Sequence, residues 1–460
     1  MAAGTSESEQ PRDIRRPRRR RRWALAALIV AWLAYIGVAA WRIRDLGDLP
    51  DIGVPFDMAA VGGPIRIADE DNAFVAYAEA ASRLSQDPAH ESTRTRMFVS
   101  VVEGNPSPPA WSSAPDELRR YVEANREALA IWRAGSGRRD GLYHQPGDLT
   151  FDSTMSLIPD AVVMSALAAL EGSRLEEAGE REAAWDWYRA ILRCSRLVGR
   201  HGNLLQRDHG ARIHAFASNR IVRWAADESL GAVPLRKALR DVQEADALTP
   251  RVSEAVKIDA LASEHSLAST KSFESILRSF GRSPPLLGGR KDGAIDRLVP
   301  WGGPRLAAQR VRREAGRELE RSRRVFRLLC ANWLAQADRP PSRQAPLATR
   351  APIWIHADDP TAPPSARAIS PRALADAIDG LDLSFLLASA NRPAEPLWAA
   401  GGALGKERRR RSALIIRLAA EVYLREQGTA PTDAGALLGK VLETLPEGIA
   451  PADPIPTALD

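Results

Sequence analysis

Three of the chain's seven histidines, His201, His209 and His214, are the first residues to test for metal chemistry. A helical zinc pair needs two histidines four residues apart on one helix face, and this spacing does not provide such a pair. We therefore interpret these histidines as ordinary core or surface residues. The sequence predicts no metal ion and no other cofactor.

A glycine-containing segment that ends in Gly405 and Lys406 is the nearest approach to a phosphate-binding loop. Such a loop needs glycine at 400 and serine or threonine at 407, where this chain has Ala400 and Glu407. The chain also lacks His-Glu-x-x-His, Cys-x-x-Cys and Gly-x-Ser-x-Gly motifs. All carboxylates are expected on polar helix faces or helix caps, so no catalytic residue is predicted. An enzyme whose catalytic groups converge from distant segments stays open.

The most distinctive element is an uncharged, apolar segment from Trp23 to Trp41. As a helix that rises about 1.5 Å per residue, it is about 28 Å long, which matches the hydrocarbon layer of a membrane. Trp23 and Trp41 stand at its ends, where indole rings favour the headgroup boundary, and Trp32 adds bulk between them. The sequence therefore predicts a single transmembrane helix at 23–41, in contact with membrane lipid.

A cluster of arginines precedes this segment and predicts its orientation. The unbroken part of the cluster is Arg18, Arg19, Arg20, Arg21 and Arg22. Because positive residues stay on the cytoplasmic side, we expect a cytoplasmic N-terminus in the inner membrane and a periplasmic or extracytoplasmic bulk of the chain. A signal peptide cleaved at Val38-Ala39-Ala40 is the alternative, although the apolar run is longer than a usual signal core.

The same arginine cluster accounts for most of the chain's positive charge. Residues 1–22 contain eight arginines and three acidic residues, a net charge of +5, whereas the whole chain carries +6. Subtraction leaves about +1 for the remaining residues. A domain this close to neutral has no overall electrostatic attraction for nucleic acid, so we predict no nucleic-acid partner.

Composition divides the chain into six segments. Glycine and proline mark a tether and a linker, because they favour turns and extended chain over helix. The predicted segments are a cytoplasmic Arg-rich tail (1–22), the transmembrane helix (23–41), a juxtamembrane tether (42–68), a helical domain (69–337), a Pro-rich linker (338–370) and a small C-terminal helical unit (371–460).

Apolar residues at helical spacing predict a mainly α fold built from helix hairpins. The expected helices lie near 69–84, 115–135, 159–178, 183–199, 203–228, 234–248, 251–280, 305–337, 406–427 and 433–445. The apolar stretch from Ala161 to Leu170 is too short to span a membrane and is predicted to be core. Asn125 lies on an apolar face and is predicted to be a buried amide bonded to a neighbouring segment.

The two cysteines, Cys194 and Cys330, both lie in apolar helical stripes. Outside the cytoplasm a disulfide between them is permitted. We favour ordinary buried thiols, because this position in an apolar stripe is typical of cysteines that behave as small hydrophobic residues.

Two local patterns carry resemblances to known families. Ala178-Gly179-Glu180, followed by Ala184, Tyr188 and Leu192, resembles the second helix of a tetratricopeptide-type hairpin. No period of about 34 residues repeats through the chain, so a regular solenoid is not predicted. The order Tyr423, Gly428, Pro431 and Asp453-Pro454 resembles the segment after the long helix of type II secretion pseudopilins, but the prepilin-type leader is absent.

The order of motifs over most of the chain carries a third resemblance. An N-terminal anchor is followed by Asp71-Asn72-Ala73, by Asn125-Arg126 and by Ala184-Trp185. This order is similar to that of uncharacterised membrane-anchored helical proteins, typically from planctomycete bacteria. The resemblance implies an envelope location and a helical fold, and it implies no activity.

These observations favour a membrane-anchored extracytoplasmic helical scaffold that binds another protein. The alternatives are an enzyme with an unrecognised site in the exported domain and a component associated with a secretion system. A clustered acid or histidine that faces a pocket would favour the enzyme. A smooth core with charged outer faces would favour the scaffold, because helix-pair surfaces bind partners through shape.

Overall fold

The computed structural model describes residues 51–266 except 86, 104–108, 151, 152 and 154, then single positions between 320 and 339, and residues 394–459 except 458. This part of the chain is mainly helical and contains no β-strand, which confirms the predicted α class. Its α-helices, in chain order, are α1 (Met58–Gly62), α2 (Ala73–Arg83), α3 (Glu91–Val102), α4 (Asp116–Ala124), α5 (Arg126–Ser136), α6 (Leu157–Glu177), α7 (Arg181–Gly199), α8 (Leu204–Ala225), α9 (Ala232–Ala247), α10 (Val252–Ser266) and α11 (Ala394–Gln427).

The predicted transmembrane helix at 23–41 and the arginine tail before it lie outside the described residues. Among the residues that are described, no helix is both long enough and apolar enough to cross a membrane. The predicted tether at 42–68 is described from residue 51 and contains the short helix α1. Asp57 caps this helix, because its side chain accepts hydrogen bonds from the Ala59 and Ala60 backbone N–H groups.

Helices α6 and α7 form a hairpin at the centre of the fold. Every residue from Ala161 to Leu170 is buried, which confirms that this stretch is core. The turn between the helices contains Gly179 at φ +82°, a left-handed conformation that glycine adopts at little cost. Gly172 on α6 lies directly against the Tyr188 ring on α7, so the absence of a side chain lets the two helices approach. Helix α8 packs on α7 and continues the antiparallel order.

The continuous helix predicted near 115–135 is wrong at its centre, where Asn125 separates α4 from α5. Asn125 is buried, and its Nδ2 donates to the Tyr121 carbonyl oxygen at 2.7 Å. Its Oδ1 accepts from the Ser85 backbone N–H at 2.7 Å. The predicted role as a core amide is therefore confirmed. The helix breaks because the Asn125 side chain donates to the Tyr121 carbonyl oxygen. In a continuous helix this oxygen would accept from the Asn125 backbone N–H.

Helix α11 brings distant sequence into the same core. It packs against α8 and α9, and its Leu414, Ile416 and Val422 are buried in the cluster that contains α6 and α7. The long helix expected near 406–427 is present and begins earlier, at Ala394. Its C-terminal half supplies one wall of the core because its apolar residues recur at helical spacing.

The helix predicted near 433–445 is wrong. The structure has only a short 3-10 helix at Ala434–Leu437, followed by Gly439 at φ +70°. The segment is instead held by the chain that follows it, since the Ala434 N–H donates to the Asp453 carbonyl oxygen at 2.9 Å. The leucines at helical spacing wrongly predicted a helix here. Leu437 and Leu442 are buried, as in a helix that packs on the core, but they lie in an irregular turn.

Both cysteines are free, buried thiols, as favoured from the sequence. The Cys194 sulfur lies 3.8 Å from the Ser165 hydroxyl oxygen on the facing helix. Cys330 belongs to a smaller cluster with residues of α8, α10 and α11.

Candidate functional site

A buried ionic network joins α7, α8 and α9 to α11, which is remote from them in sequence. At its centre is Glu407 on α11, which is only 3% exposed. Arg207 on α8 donates to both of its oxygens, from Nη2 to Oε2 at 2.7 Å and from Nη1 to Oε1 at 3.3 Å. Arg196 on α7 donates to Oε1 as well. The expectation that every carboxylate lies on a polar face or a cap is therefore wrong for Glu407, which lies on the face of α11 that packs against α8.

A second ion pair completes the network. Arg411, one turn after Glu407 on α11, hydrogen-bonds Asp246 at the end of α9, and its Nε lies 3.7 Å from Glu407 Oε1. We call Arg196, Arg207, Asp246, Glu407 and Arg411 the buried ionic network. It contains three guanidinium groups and two carboxylates, so it carries a net charge of +1.

The protonation of this network is set by opposing effects. Burial alone would raise the pKa of Glu407, but Arg207, Arg196 and Arg411 outweigh burial and hold that pKa well below its usual range. Burial lowers the pKa of Arg196 to about 10, which still leaves it charged at neutral pH. His214 lies beside the network, where burial and then Arg196 lower its pKa well below the usual value, so it is neutral.

These protonation states decide which chemistry Glu407 can perform. A general acid or base must exchange a proton near the working pH and reach the reacting group. Glu407 remains ionised, and both of its oxygens are bonded to arginine. The clustered acid that would have favoured an enzyme is present, but it holds arginines in place and does not carry protons.

A cavity of about 390 Å³ adjoins the network where α8, α9, α10 and α11 meet. We call it the junction cavity. Three donor atoms with no hydrogen-bond partner in the described part of the chain belong to its lining residues: Arg207 Nε, Arg411 Nε and Thr249 Oγ1. The described residues that line it are Arg207, Asp246, Thr249, Pro250, Arg251, Val252, Ala337, Asp338, Leu404, Glu407, Arg408, Arg411 and Glu447. This size falls within the range of small-molecule sites.

Asp259 on α10 is a second buried carboxylate, so the prediction that all carboxylates lie on polar helix faces or caps is wrong for it as well. It accepts a hydrogen bond from the Leu204 backbone N–H at the start of α8, and its Oδ2 has no partner in the described structure. Burial raises the pKa of Asp259 to about 7. The neighbouring Cys330 thiol is also buried, and burial raises its pKa above the ordinary value. These two groups do not line the junction cavity.

The three histidines singled out from the sequence do not meet. His201 Nε2 lies 3.0 Å from Asp140 Oδ1, His209 Nδ1 lies 2.8 Å from the Leu205 carbonyl oxygen, and His214 contacts Ser218 on its own helix. Within the ranges that the structure describes, no group of three histidine, cysteine or acidic residues is arranged to hold a metal ion. The predicted anchor residues Trp23, Trp32 and Trp41 and the orientation arginines Arg18, Arg19, Arg20, Arg21 and Arg22 lie outside the described residues.

An apolar surface lies where α3 contacts α8. The Phe98 and His209 rings approach with centroids 6.3 Å apart, and Arg212 fastens the two helices by donating to the Val102 carbonyl oxygen. Val99 follows Phe98 on α3, Leu205 precedes His209 by one turn on α8, and the two are 37% and 41% exposed. We call Phe98, Val99, Leu205 and His209 the α3–α8 seam.

The fold and these two features define an all-helical protein with a preformed ionic network and one apolar seam. No family model matches this chain, and no curated protein or solved structure matches it either. The resemblances drawn from sequence motifs therefore stay expectations.

Proposed function

We propose that this chain is a membrane-anchored extracytoplasmic scaffold whose helical domain binds another protein at the α3–α8 seam. The anchor and its orientation come from the sequence, where an apolar segment follows a run of arginines. The binding surface comes from the exposed apolar side chains of the seam. This seam is the observation that carries the proposal.

The seam differs from the ordinary scatter of apolar residues on a protein surface. Single exposed hydrophobic residues are common and need no explanation. Here the two helices joined by the Phe98–His209 ring contact each carry an exposed aliphatic residue, Val99 on α3 and Leu205 on α8. Aliphatic and aromatic groups side by side, with the arginine and aspartate of an Arg212–Asp208 pair next to them, have the composition of an apolar contact with a polar rim.

Helix α8, which carries Leu205 and His209 of the seam, is joined to α6 and α7 by buried hydrogen bonds. Arg220 on α8 donates to Glu176 on α6 at 2.7 Å and to the Tyr188 hydroxyl on α7 at 3.1 Å. The Tyr188 hydroxyl in turn donates to Glu176. A surface fixed in this way loses little conformational entropy on binding, which favours a partner recognised by shape.

The experiment is site-specific photo-crosslinking of the full-length protein in its own cells. A photoreactive amino acid replaces Leu205 in one strain and Val233 in the matched control. Val233 is a more exposed aliphatic residue, at 80%, and lies at the start of α9, far along the chain from the seam. We expect one discrete protein adduct from position 205 and none from position 233.

A second variant separates a specific partner from a chance neighbour. Val99→Glu puts a charge on α3, the other helix of the seam, so it should abolish the adduct at position 205, whereas Val233→Glu should leave it unchanged. Equal adducts from both positions, or an adduct at 205 that survives Val99→Glu, would remove the seam as the binding surface.

A further inference from the structure

The junction cavity has features that protein contacts at the seam do not use. We propose that it binds a small molecule through one anionic oxygen-bearing group, a carboxylate or a phosphate. The proposal does not depend on the scaffold function, because the cavity and the α3–α8 seam are formed by different residues.

The first argument is the charge balance of the buried ionic network that adjoins the cavity. Arg207 and Arg411 face it, and Arg196 lies behind them, whereas Glu407 and Asp246 are the only carboxylates bonded to these three arginines in the described structure. The remaining charge of +1 is buried. An uncompensated buried charge is costly, and an anion in the adjoining space would offset it.

The second argument is the set of donors without partners. Arg207 is 1% exposed and lines the cavity, and its Nε has no acceptor in the described part of the chain. Arg411 Nε and Thr249 Oγ1 are also buried atoms without an acceptor among the described residues, although their side chains are only partly buried. Buried donors are nearly always satisfied in folded proteins, so three around one space indicate a bound acceptor. A carboxylate or phosphate group supplies two or more acceptor oxygens.

The other acidic residues of the wall limit the kind of anion. Glu447 accepts from Arg408 at 2.9 Å, and Asp338 accepts from the Ser253 backbone N–H at 3.1 Å. These two carboxylates and the two remaining arginines of the wall, Arg251 and Arg408, balance in number, so the wall has no further excess of positive charge for a second anionic group. The cavity therefore suits a ligand with one anionic group and a neutral remainder. It does not suit a polyphosphate.

The test is isothermal titration calorimetry on the full-length protein in detergent micelles. Inorganic phosphate and acetate are titrated separately, at an ionic strength held constant with chloride. We expect saturable one-to-one binding of at least one of the two anions. The anion that binds more tightly identifies the group that the cavity prefers.

Three variants locate the binding. Thr249→Val keeps the side-chain shape and removes one donor, and Arg411→Gln removes the free Nε–H. Each should weaken the preferred anion by about tenfold or more, because a hydrogen bond to a charged group contributes that much. Arg212→Gln is the control for Arg411→Gln, since Arg212 also pairs with an aspartate, Asp208, but does not line the cavity. It should leave the affinity unchanged.

Arg207→Gln is avoided because it would remove the guanidinium group that pairs with buried Glu407. A loss of binding could then result from a loss of folding. Circular dichroism tests whether each variant is folded. If Arg411→Gln does not fold, the affinity of Thr249→Val alone shows whether the anion binds in the junction cavity. The absence of saturable binding of both anions to the wild-type protein overturns the proposal. Binding that Thr249→Val leaves unaltered also overturns it, because the anion would then lie elsewhere.

Discussion

At Glu407, burial and ion pairing act in opposite directions on one carboxyl group. Burial favours the protonated form, whereas the Arg207 and Arg196 guanidinium groups favour the ionised form and prevail. They prevail because both carboxylate oxygens accept charge-assisted hydrogen bonds, which are shorter and stronger than neutral ones. The residue is therefore a fixed counter-ion, and its removal should expose the cost of burying arginine.

We predict that Glu407→Gln lowers the free energy of unfolding by about 3–5 kcal/mol, because it leaves two buried arginines without a counter-charge. Urea unfolding of the full-length protein, followed by circular dichroism, measures the change. Glu127→Gln is the control, because Glu127 pairs with Arg83 at the surface and is 71% exposed. It should stay within about 0.5 kcal/mol of wild type.

The pH dependence of this difference follows from the direction of the pKa shift. The pKa of Glu407 is lower in the folded than in the unfolded protein, so the stabilisation is complete above the ordinary value of 4.5. It decreases as pH falls below that value, and the gap between wild type and Glu407→Gln should narrow accordingly. A gap below about 1 kcal/mol at pH 7 would contradict the role of Glu407 as the counter-ion of two buried arginines.

Between elements, the approach of α6 and α7 depends on one missing side chain. A Cβ on Gly172 would lie 2.5 Å from Tyr188 Cε1. Tyr188 cannot move away easily, because its ring is fully buried and its hydroxyl is bonded to Glu176 and Arg220. The hairpin geometry is thus determined by packing, and the helix propensity of glycine works against it.

Gly172→Ala should therefore destabilise the protein by about 1–3 kcal/mol, since overpacking a core outweighs the gain in helix propensity. The matched control is Gly405→Ala on α11, where a Cβ would meet no atom of the described residues within 4 Å. That substitution should stabilise the protein by up to about 1 kcal/mol. Thermal unfolding monitored by circular dichroism compares the two, and equal effects would disprove the packing argument.

The sequence predicts features that depend on neighbouring residues and does not predict contacts between distant segments. Runs such as Ala161 to Leu170 predict buried helix because the spacing of apolar residues is local information. Arg207 and Glu407 are 200 residues apart, and no pattern around either of them indicates that they meet. One signal was available: Glu407 and Arg411 are four residues apart, the spacing of an ion pair on one helix face.

The break at Asn125 was missed for a related reason. Its position on an apolar face predicted burial correctly, but the acceptor role for the Ser85 backbone depends on a segment 40 residues away. Asn125 accepts a hydrogen bond from the Ser85 loop and donates to the Tyr121 carbonyl oxygen at the point where the regular helix is interrupted. Sequence periodicity therefore located the element and could not locate its interruption.

Over the whole molecule, the net charge is concentrated in the N-terminal tail, and the rest of the chain is nearly neutral. Residues 1–22 carry +5 of the total +6, so nearly all of the net charge lies beside the predicted anchor. Four arginines of the described helices are paired inside the fold, with Glu407, with Asp246 and with Glu176. In the proposed topology, the N-terminal charge would therefore orient the anchor without competition from the net charge of the domain that follows.

This division predicts the topology of the full chain. A reporter enzyme that is active only after export, fused to the C-terminus, should be active, and a reporter that is active only in the cytoplasm should be inactive. Replacing Arg18, Arg19, Arg20, Arg21 and Arg22 with glutamine should reduce export, because the positive charge that retains the N-terminus is lost. The control replaces the five domain arginines Arg83, Arg119, Arg126, Arg236 and Arg408, which lie at least partly at the surface, and should leave export unchanged. Activity of the cytoplasmic reporter alone in the wild-type fusion would reverse the predicted orientation, because the arginine run would then not have kept the N-terminus inside.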